Sequence, residues 1–128
     1  MAARQPRVLI AEDNAALRRV IAFTLKGAGF ETTVAADGLA AWEIAEEEAF
    51  DLVVSDQQMP HMSGLELIEK VRGSETNAQT PAVLLTAKGL ELEFETLREK
   101  YGLAAMLPKP FSPSQLGTLA EQLVGELV

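Results

Sequence analysis

Leu52-Val53-Val54-Ser55-Asp56-Gln57-Gln58-Met59-Pro60 is the stretch from which the architecture can be read. Its first four residues are nearly all apolar with no polar alternation, the pattern of a parallel strand covered on both faces. Val8 to Ala11 and Ala82 to Thr86 repeat that pattern on either side. Glu31 to Ala36 and Leu103 to Leu107 read as weaker strands. The first is half polar and the second runs into Pro108, so both suit sheet edges, where a missing amide donor is tolerated.

Helix-period segments separate the strands. Asn14 can cap a helix whose Leu17, Val20, Ile21, Leu25 and Ala28 share a face, with Gly29 as its stop. Asp37 caps a second helix, and Ser63 or Gly64 opens a third through Leu65, Ile68 and Val71. In Gly89 to Tyr101 the residues Leu90, Leu92 and Phe94 alternate like a strand, but Leu90, Phe94, Leu97 and Tyr101 fall on one helical face, so a helix is expected. Ser112 as cap, Pro113 at the first helical position and Gln115 closing a capping box start an amphipathic last helix. Strand then helix, five times over, implies an α/β protein with a doubly wound parallel sheet, because each crossover must be right-handed and lay its helix on a sheet face. Sites in such sheets form at the carboxyl ends of the strands.

A chain of 128 residues makes one ordinary domain, able to hide roughly two-thirds of its surface. Hydrophobic content of 48% against 23% charged residues is that of a globular protein. The formal charge of -8 repels a phosphate backbone, which argues against direct nucleic-acid binding. Without cysteine there is neither a disulfide framework nor a thiolate metal site. No apolar run approaches a membrane span and Met1 to Arg7 lacks a signal peptide's apolar stretch, so a soluble, cytoplasmic protein is expected. The acidic run Glu46 to Glu48 reads as a solvated turn.

The strand ends carry the chemistry. The first strand ends in Glu12 and Asp13, the third in Asp56, the fourth in Thr86 and the fifth just before Lys109. Crowded carboxylates resist ionisation unless a hard cation sits among them, and Mg2+ suits a few carboxylates plus waters and phosphate oxygens. Acids also favour a helix N-terminus whatever their function, which by itself accounts for Glu12 and Asp13. Asp56 is harder to explain that way, since Gln57, Gln58, Met59 and Pro60 offer it no charged partner. A carboxylate beside Mg2+ can attack phosphorus, with Thr86 and Lys109 binding the phosphoryl oxygens. Taken singly, Thr86 is an ordinary strand-end hydroxyl and Lys109 a surface lysine; the set of five carries the inference.

With Glu12-Asp13, Ser55-Asp56-Gln57-Gln58-Met59-Pro60, Met62-Ser63-Gly64, Thr86-Ala87 and Lys109-Pro110-Phe111 in this order and spacing, the chain resembles the receiver domain of two-component response regulators. It is most similar to the single-domain, chemotaxis-regulator-like members, and the likeness covers essentially residues 1–128, with 1–6 as a short extension and no output domain expected. The resemblance implies a flavodoxin-like (βα)5 fold with strand order 2-1-3-4-5. It implies Asp56 as phospho-acceptor; Glu12, Asp13, Asp56 and the Gln58 backbone carbonyl as Mg2+ ligands; Thr86 as switch hydroxyl; and Lys109 as phosphate-binding lysine. A cis peptide before Pro110 is also implied. The expected donor is a sensor histidine kinase or phosphotransfer protein, and the expected reader a downstream protein on the face of the fourth helix, fifth strand and fifth helix, with a homodimer on phosphorylation as a further expectation. Such a protein catalyses only its own phosphorylation and dephosphorylation.

The sequence departs from the family at several places. Glu12 stands where aspartate is commoner. Met106 occupies a position often held by Tyr or Phe, while Tyr101, the only tyrosine, comes too early to replace it. Pro108 directly before Lys109 should stiffen the end of the last strand. Gln58 and Lys88 sit where residues flank the attacking water, so Gln58 is expected to orient that water and Lys88 to shield the phosphoryl group. His61 reads as a solvated loop residue and Trp42 as packing in an exposed-looking helix. Two alternatives use the same scaffold. A haloacid-dehalogenase-type phosphatase would carry a second Asp at position 58, where Gln58 stands. A flavodoxin-like module would need a phosphate loop that Asn14, Ala15 and Ala16 do not supply.

Overall fold

In the computed structural model, residues 4–87 and 93–125 are described. Leu52–Asp56 is the central strand β3, buried along its whole length. It lies between β1 (Arg7–Ala11) and β4 (Ala82–Thr86), with β2 (Glu31–Ala35) and β5 (Ala105–Pro108) at the edges. All neighbours run parallel in the order β2-β1-β3-β4-β5. The helices between them are α1 (Ala15–Gly27), α2 (Gly38–Ala45), α3 (Gly64–Arg72), α4 (Phe94–Tyr101) and α5 (Pro113–Gly125).

Strand alternation splits the core into two layers. Leu9, Ala11, Val53 and Leu84 face Ala41 of α2, Leu67, Ile68 and Val71 of α3, and Leu97 of α4. Val8, Ile10, Val54, Val83 and Leu85 face Ile21 and Leu25 of α1, and Leu116 and Ala120 of α5. Each fully buried Leu or Ile contributes about 1.5–3 kcal/mol of transfer free energy, which is why the three inner strands tolerate almost no polar residue before their ends.

The local start signals act as expected from sequence. Asn14 Oδ1 accepts from Leu17 N–H at 2.9 Å, Asp37 Oδ1 from Ala40 N–H at 2.8 Å, and Ser63 with Glu66 forms a complete capping box. The Ser112–Gln115 pair is reciprocal as well, at 3.2 and 2.8 Å. Gly29, at φ 98°, reverses the chain after α1.

Several boundaries differ from the sequence expectation. β5 starts at Ala105 rather than Leu103, because α4 closes on Gly102 at φ 68° and Leu103 is spent filling the core before the ladder begins. Pro108 belongs to the strand, opposite Thr86. A proline cannot donate to the ladder, and the Thr86 carbonyl is taken by the next N–H, that of Lys109, at 2.7 Å. The described part of α4 begins at Phe94, and Gly89 to Leu92 lie outside the described residues. Trp42 packs half-buried against the core, in keeping with its expected packing role, with Lys70 Nζ 5.7 Å from its ring centroid. Glu46 to Glu48 are exposed as expected, although Glu48 also pairs with Arg7 at 2.5 Å.

At the opposite end of the sheet from the strand carboxyl ends, Asp51 accepts two hydrogen bonds from the Arg4 guanidinium, at 2.9 and 3.0 Å, and one from Arg7 N–H at 2.7 Å. The Arg4 bond, more than burial can oppose, holds the Asp51 carboxyl below its ordinary value of 3.8. A depressed folded-state pKa means the carboxylate stabilises the fold above pH ~4 and loses that contribution as pH falls through the folded value. Asp51→Ala should therefore lower stability by about 1–2 kcal/mol at pH 7, with the gap to wild type in urea midpoint closing as the pH falls through the lowered folded-state value.

Candidate functional site

β1 delivers Glu12 and Asp13, and the two have different fates. Glu12 is buried at 1% exposure while Asp13 is exposed. The Glu12 backbone is fixed by its N–H to the Ala35 carbonyl at 3.1 Å and by the Arg18 guanidinium donating to its carbonyl at 2.8 Å. Its side chain turns inward, where Oε2 accepts from Asn14 N–H at 3.1 Å. β3 delivers Asp56, also buried, whose Oδ1 accepts from Gln57 N–H at 3.0 Å.

Lys109 reaches across from the end of β5 and sits between the two buried acids, with Nζ 3.0 Å from Asp56 Oδ1 and 3.4 Å from Glu12 Oε1. The Lys109–Pro110 peptide is cis, as the resemblance implied. One carboxylate oxygen from each of Glu12, Asp13 and Asp56 can be chosen so that all three lie within 4.8 Å of one another. Burial pushes the Glu12 carboxyl up to about 7; the Asn14 amide pulls against that, while the charge on Asp56 adds to it. Burial also disfavours the charge on Lys109, but the hydrogen bond and charge of Asp56 and the charge of Glu12 outweigh it and hold the ammonium above its ordinary pKa. One ammonium among three carboxylates leaves an excess of negative charge, which a divalent cation with oxygen ligands would neutralise.

Thr86 completes the group from β4. Its residue is fully buried, and among the described residues its Oγ1 has no hydrogen-bond partner. An unpaired buried hydroxyl costs roughly 1–3 kcal/mol, so this atom is poised for an acceptor that the described residues do not provide. A small cleft of about 140 Å³ at this end of the sheet is lined by Asp56, Gln57, Gln58, Ala87 and Lys109. Donor set, orphaned hydroxyl and cleft together fit both a Mg2+ ion and a phosphoryl group.

All six residues expected from sequence thus lie at this end of the sheet, with Gln58 exposed at the mouth of the cleft. Lys88 lies outside the described residues. His61 is an exposed loop residue at φ 69°, in keeping with a solvated role. Tyr101 ends α4 and packs half-buried against the same core layer as Met106. Sequence reasoning passed over Gln57 and Arg18. Only the second left a signal, a basic residue one turn into α1 beside two acids.

A family model described as the response regulator receiver domain matches residues 8–121. The probable transcriptional regulator ycf29 of Porphyra purpurea is 34% identical over 117 residues, covering 91% of this chain but 56% of that protein. Chemotaxis protein CheY1 of Helicobacter pylori is 32% identical over 121 residues, covering 93% of this chain and 97% of the relative. The crystal structure of the receiver domain of sensor histidine kinase PA1611 from Pseudomonas aeruginosa, with a magnesium ion coordinated in its active-site cleft, superposes with a TM-score of 0.83 at 28% identity, over 94% of this chain and 98% of that one. The match sets aside the haloacid-dehalogenase and flavin-module alternatives. The chain belongs to the response regulator receiver domain family, as a CheY-like receiver of two-component signalling.

Proposed function

We propose that this protein is a phosphorylation-dependent switch that takes a phosphoryl group onto Asp56 from a sensor histidine kinase or a phosphotransfer protein. The observation that carries the reading is the meeting of Asp56 with Lys109 at 3.0 Å among buried acids. Asp56 Oδ1 is held by Lys109 and the Gln57 amide, while Oδ2 has no donor among the described residues. In the transfer, an Asp56 oxygen forms the new P–O bond as the donor's P–N bond breaks, and the electron pair leaves with the imidazole nitrogen, which takes its proton from solvent. Lys109 and Thr86 Oγ1 then hold phosphoryl oxygens. Glu12, Asp13, Asp56 and the Gln58 carbonyl would hold Mg2+, which supplies charge neutralisation at the phosphoryl group. Gln58 at the cleft mouth orients the water that later hydrolyses the acyl phosphate, with Lys88 shielding it.

The incoming charge of about -1.5 to -2 acts next to the buried Thr86 hydroxyl, which lacks a partner among the described residues, so the Thr86 side chain is the group that reorients. The change is read on the face made by α4, β5 and α5, where a groove lined by Met106, Leu107, Gln115 and Leu119 lies between the last strand and the last helix. A downstream protein, or a second copy on phosphorylation, is the reader there. No described helix is long and apolar enough to cross a membrane; the cytoplasmic setting belongs to the proposed reading, since the histidine-kinase donor acts there. Incubation with acetyl phosphate should give a retarded band on a phosphate-affinity gel in Mg2+ and none after chelation with EDTA. Equal bands in both, or none in either, would refute the proposal.

A further inference from the structure

Gln57 does more than follow the phospho-acceptor in sequence. The first turn of a helix leaves N–H groups with no partner inside the helix. In α3, Glu66 N–H is satisfied by Ser63 Oγ at 3.2 Å, but the two before it both go to Gln57. Gly64 N–H donates to the Gln57 backbone carbonyl at 3.0 Å, and Leu65 N–H to the Gln57 side-chain Oε1 at 2.9 Å. The same residue's own N–H is shared between Asp56 Oδ1 and the Leu85 carbonyl, each at 3.0 Å. One residue therefore fastens the Asp56 carboxylate, the end of β4 and the start of α3, and closes the neck of the loop 57–63 that carries Gln58.

We infer that Gln57 is a positioning residue for the divalent-cation site, its side-chain carbonyl clamping the loop so that the Gln58 backbone carbonyl is presented beside Asp56. The inference rests on the function proposed above. The geometry separates the two bonds at the neck. The Gly64 bond belongs to backbone and survives any substitution, whereas the Leu65 bond needs an acceptor oxygen at the end of a side chain of glutamine's length. Methionine keeps the length and the half-buried packing but removes the acceptor. Glutamate keeps the acceptor and adds a charge that both a helix N-terminus and a cation favour.

The test is calorimetric titration of the unphosphorylated full chain with MgCl2, paired with thermal unfolding in metal-free buffer. Supporting partners of metal ligands typically carry about 10–100-fold in affinity. Gln57→Met is expected to weaken Mg2+ binding about tenfold, the low end of that range, and Gln57→Glu to bind at least as tightly as wild type. Ser63→Ala loosens the same helix end without touching residue 57, so it should lower the melting temperature while leaving Mg2+ affinity unchanged. Wild-type affinity in Gln57→Met, or an equal loss in Ser63→Ala, would overturn the inference and leave the reading of the site intact. A wild-type protein with no saturable Mg2+ binding would overturn both.

Discussion

Asp56→Asn is expected to eliminate the phosphoprotein altogether under conditions where acetyl phosphate and Mg2+ label the wild type, as read by intact mass. The amide is nearly the same size as the carboxylate, so Gln57 N–H keeps an acceptor and the packing of β3 is undisturbed. What is lost is the anionic nucleophile, and no neighbour can substitute for it. Asp13 is exposed at the rim, and Glu12 points into a buried pocket that raises its pKa and lowers its nucleophilic anion fraction. Folding should survive. In metal-free buffer the wild-type cluster sets three carboxylates against one ammonium, and removing one of the three relieves repulsion at least in part, against the lost ion pair with Lys109. The expected readout is therefore a melting temperature close to that of wild type alongside a complete absence of the added phosphoryl mass. Labelling that persists at another acid would transfer the acceptor role away from Asp56.

Gly64→Ala should be among the most damaging single substitutions at a position with no side chain to lose. A Cβ there would fall on the Asp56 backbone carbonyl oxygen, well inside van der Waals contact, and 2.8 Å from Leu84 Cδ1. The carbonyl is part of the central strand and cannot swing aside, so α3 must back away from β3. Overpacking of this kind costs about 1–3 kcal/mol and sometimes more, and here the upper part of the range is expected. Displacement of α3 would also break the Gly64 and Leu65 bonds to Gln57. Gly27, where an added Cβ meets nothing within 4 Å, is the control. Alanine there should be neutral or stabilising by up to about 1 kcal/mol, since glycine is a poor helix residue. Urea unfolding of both variants distinguishes close packing from a general effect of glycine replacement; a Gly64→Ala midpoint equal to wild type would refute the close-approach argument.

The strands and caps were legible because their causes are local. An apolar run buried on both faces, or Ser112 three residues before Gln115, needs no knowledge of distant chain. The site was legible for a different reason: a parallel sheet brings its strand ends together, so residues separated by nearly the whole sequence could be grouped by their place in it. What stayed hidden depends on return paths. Gln57 became a clamp only once the loop came back to Gly64. Asn77 is buried at 1% because its amide donates to the Ala45 and Glu48 carbonyls while accepting from Phe50 N–H, across about 30 residues of chain with no periodic signal. Likewise Arg72 donates to the carbonyls of Ala78, Tyr101 and Gly102, tying the end of α3 to the end of α4. An arginine in the last turn of a helix reads from sequence as a dipole partner and no more.

Pro108 has a mechanical consequence. Since it has no hydrogen to give, the last rung between the fourth strand and its outer neighbour is supplied by Lys109 itself, whose backbone grips the residue that bears the orphaned hydroxyl. The two groups that would grasp a phosphoryl oxygen are thereby yoked along the main chain, one rung apart. Under the proposed function, a pull on either would travel to the rim of the sheet without passing through a ring at position 106, where methionine stands.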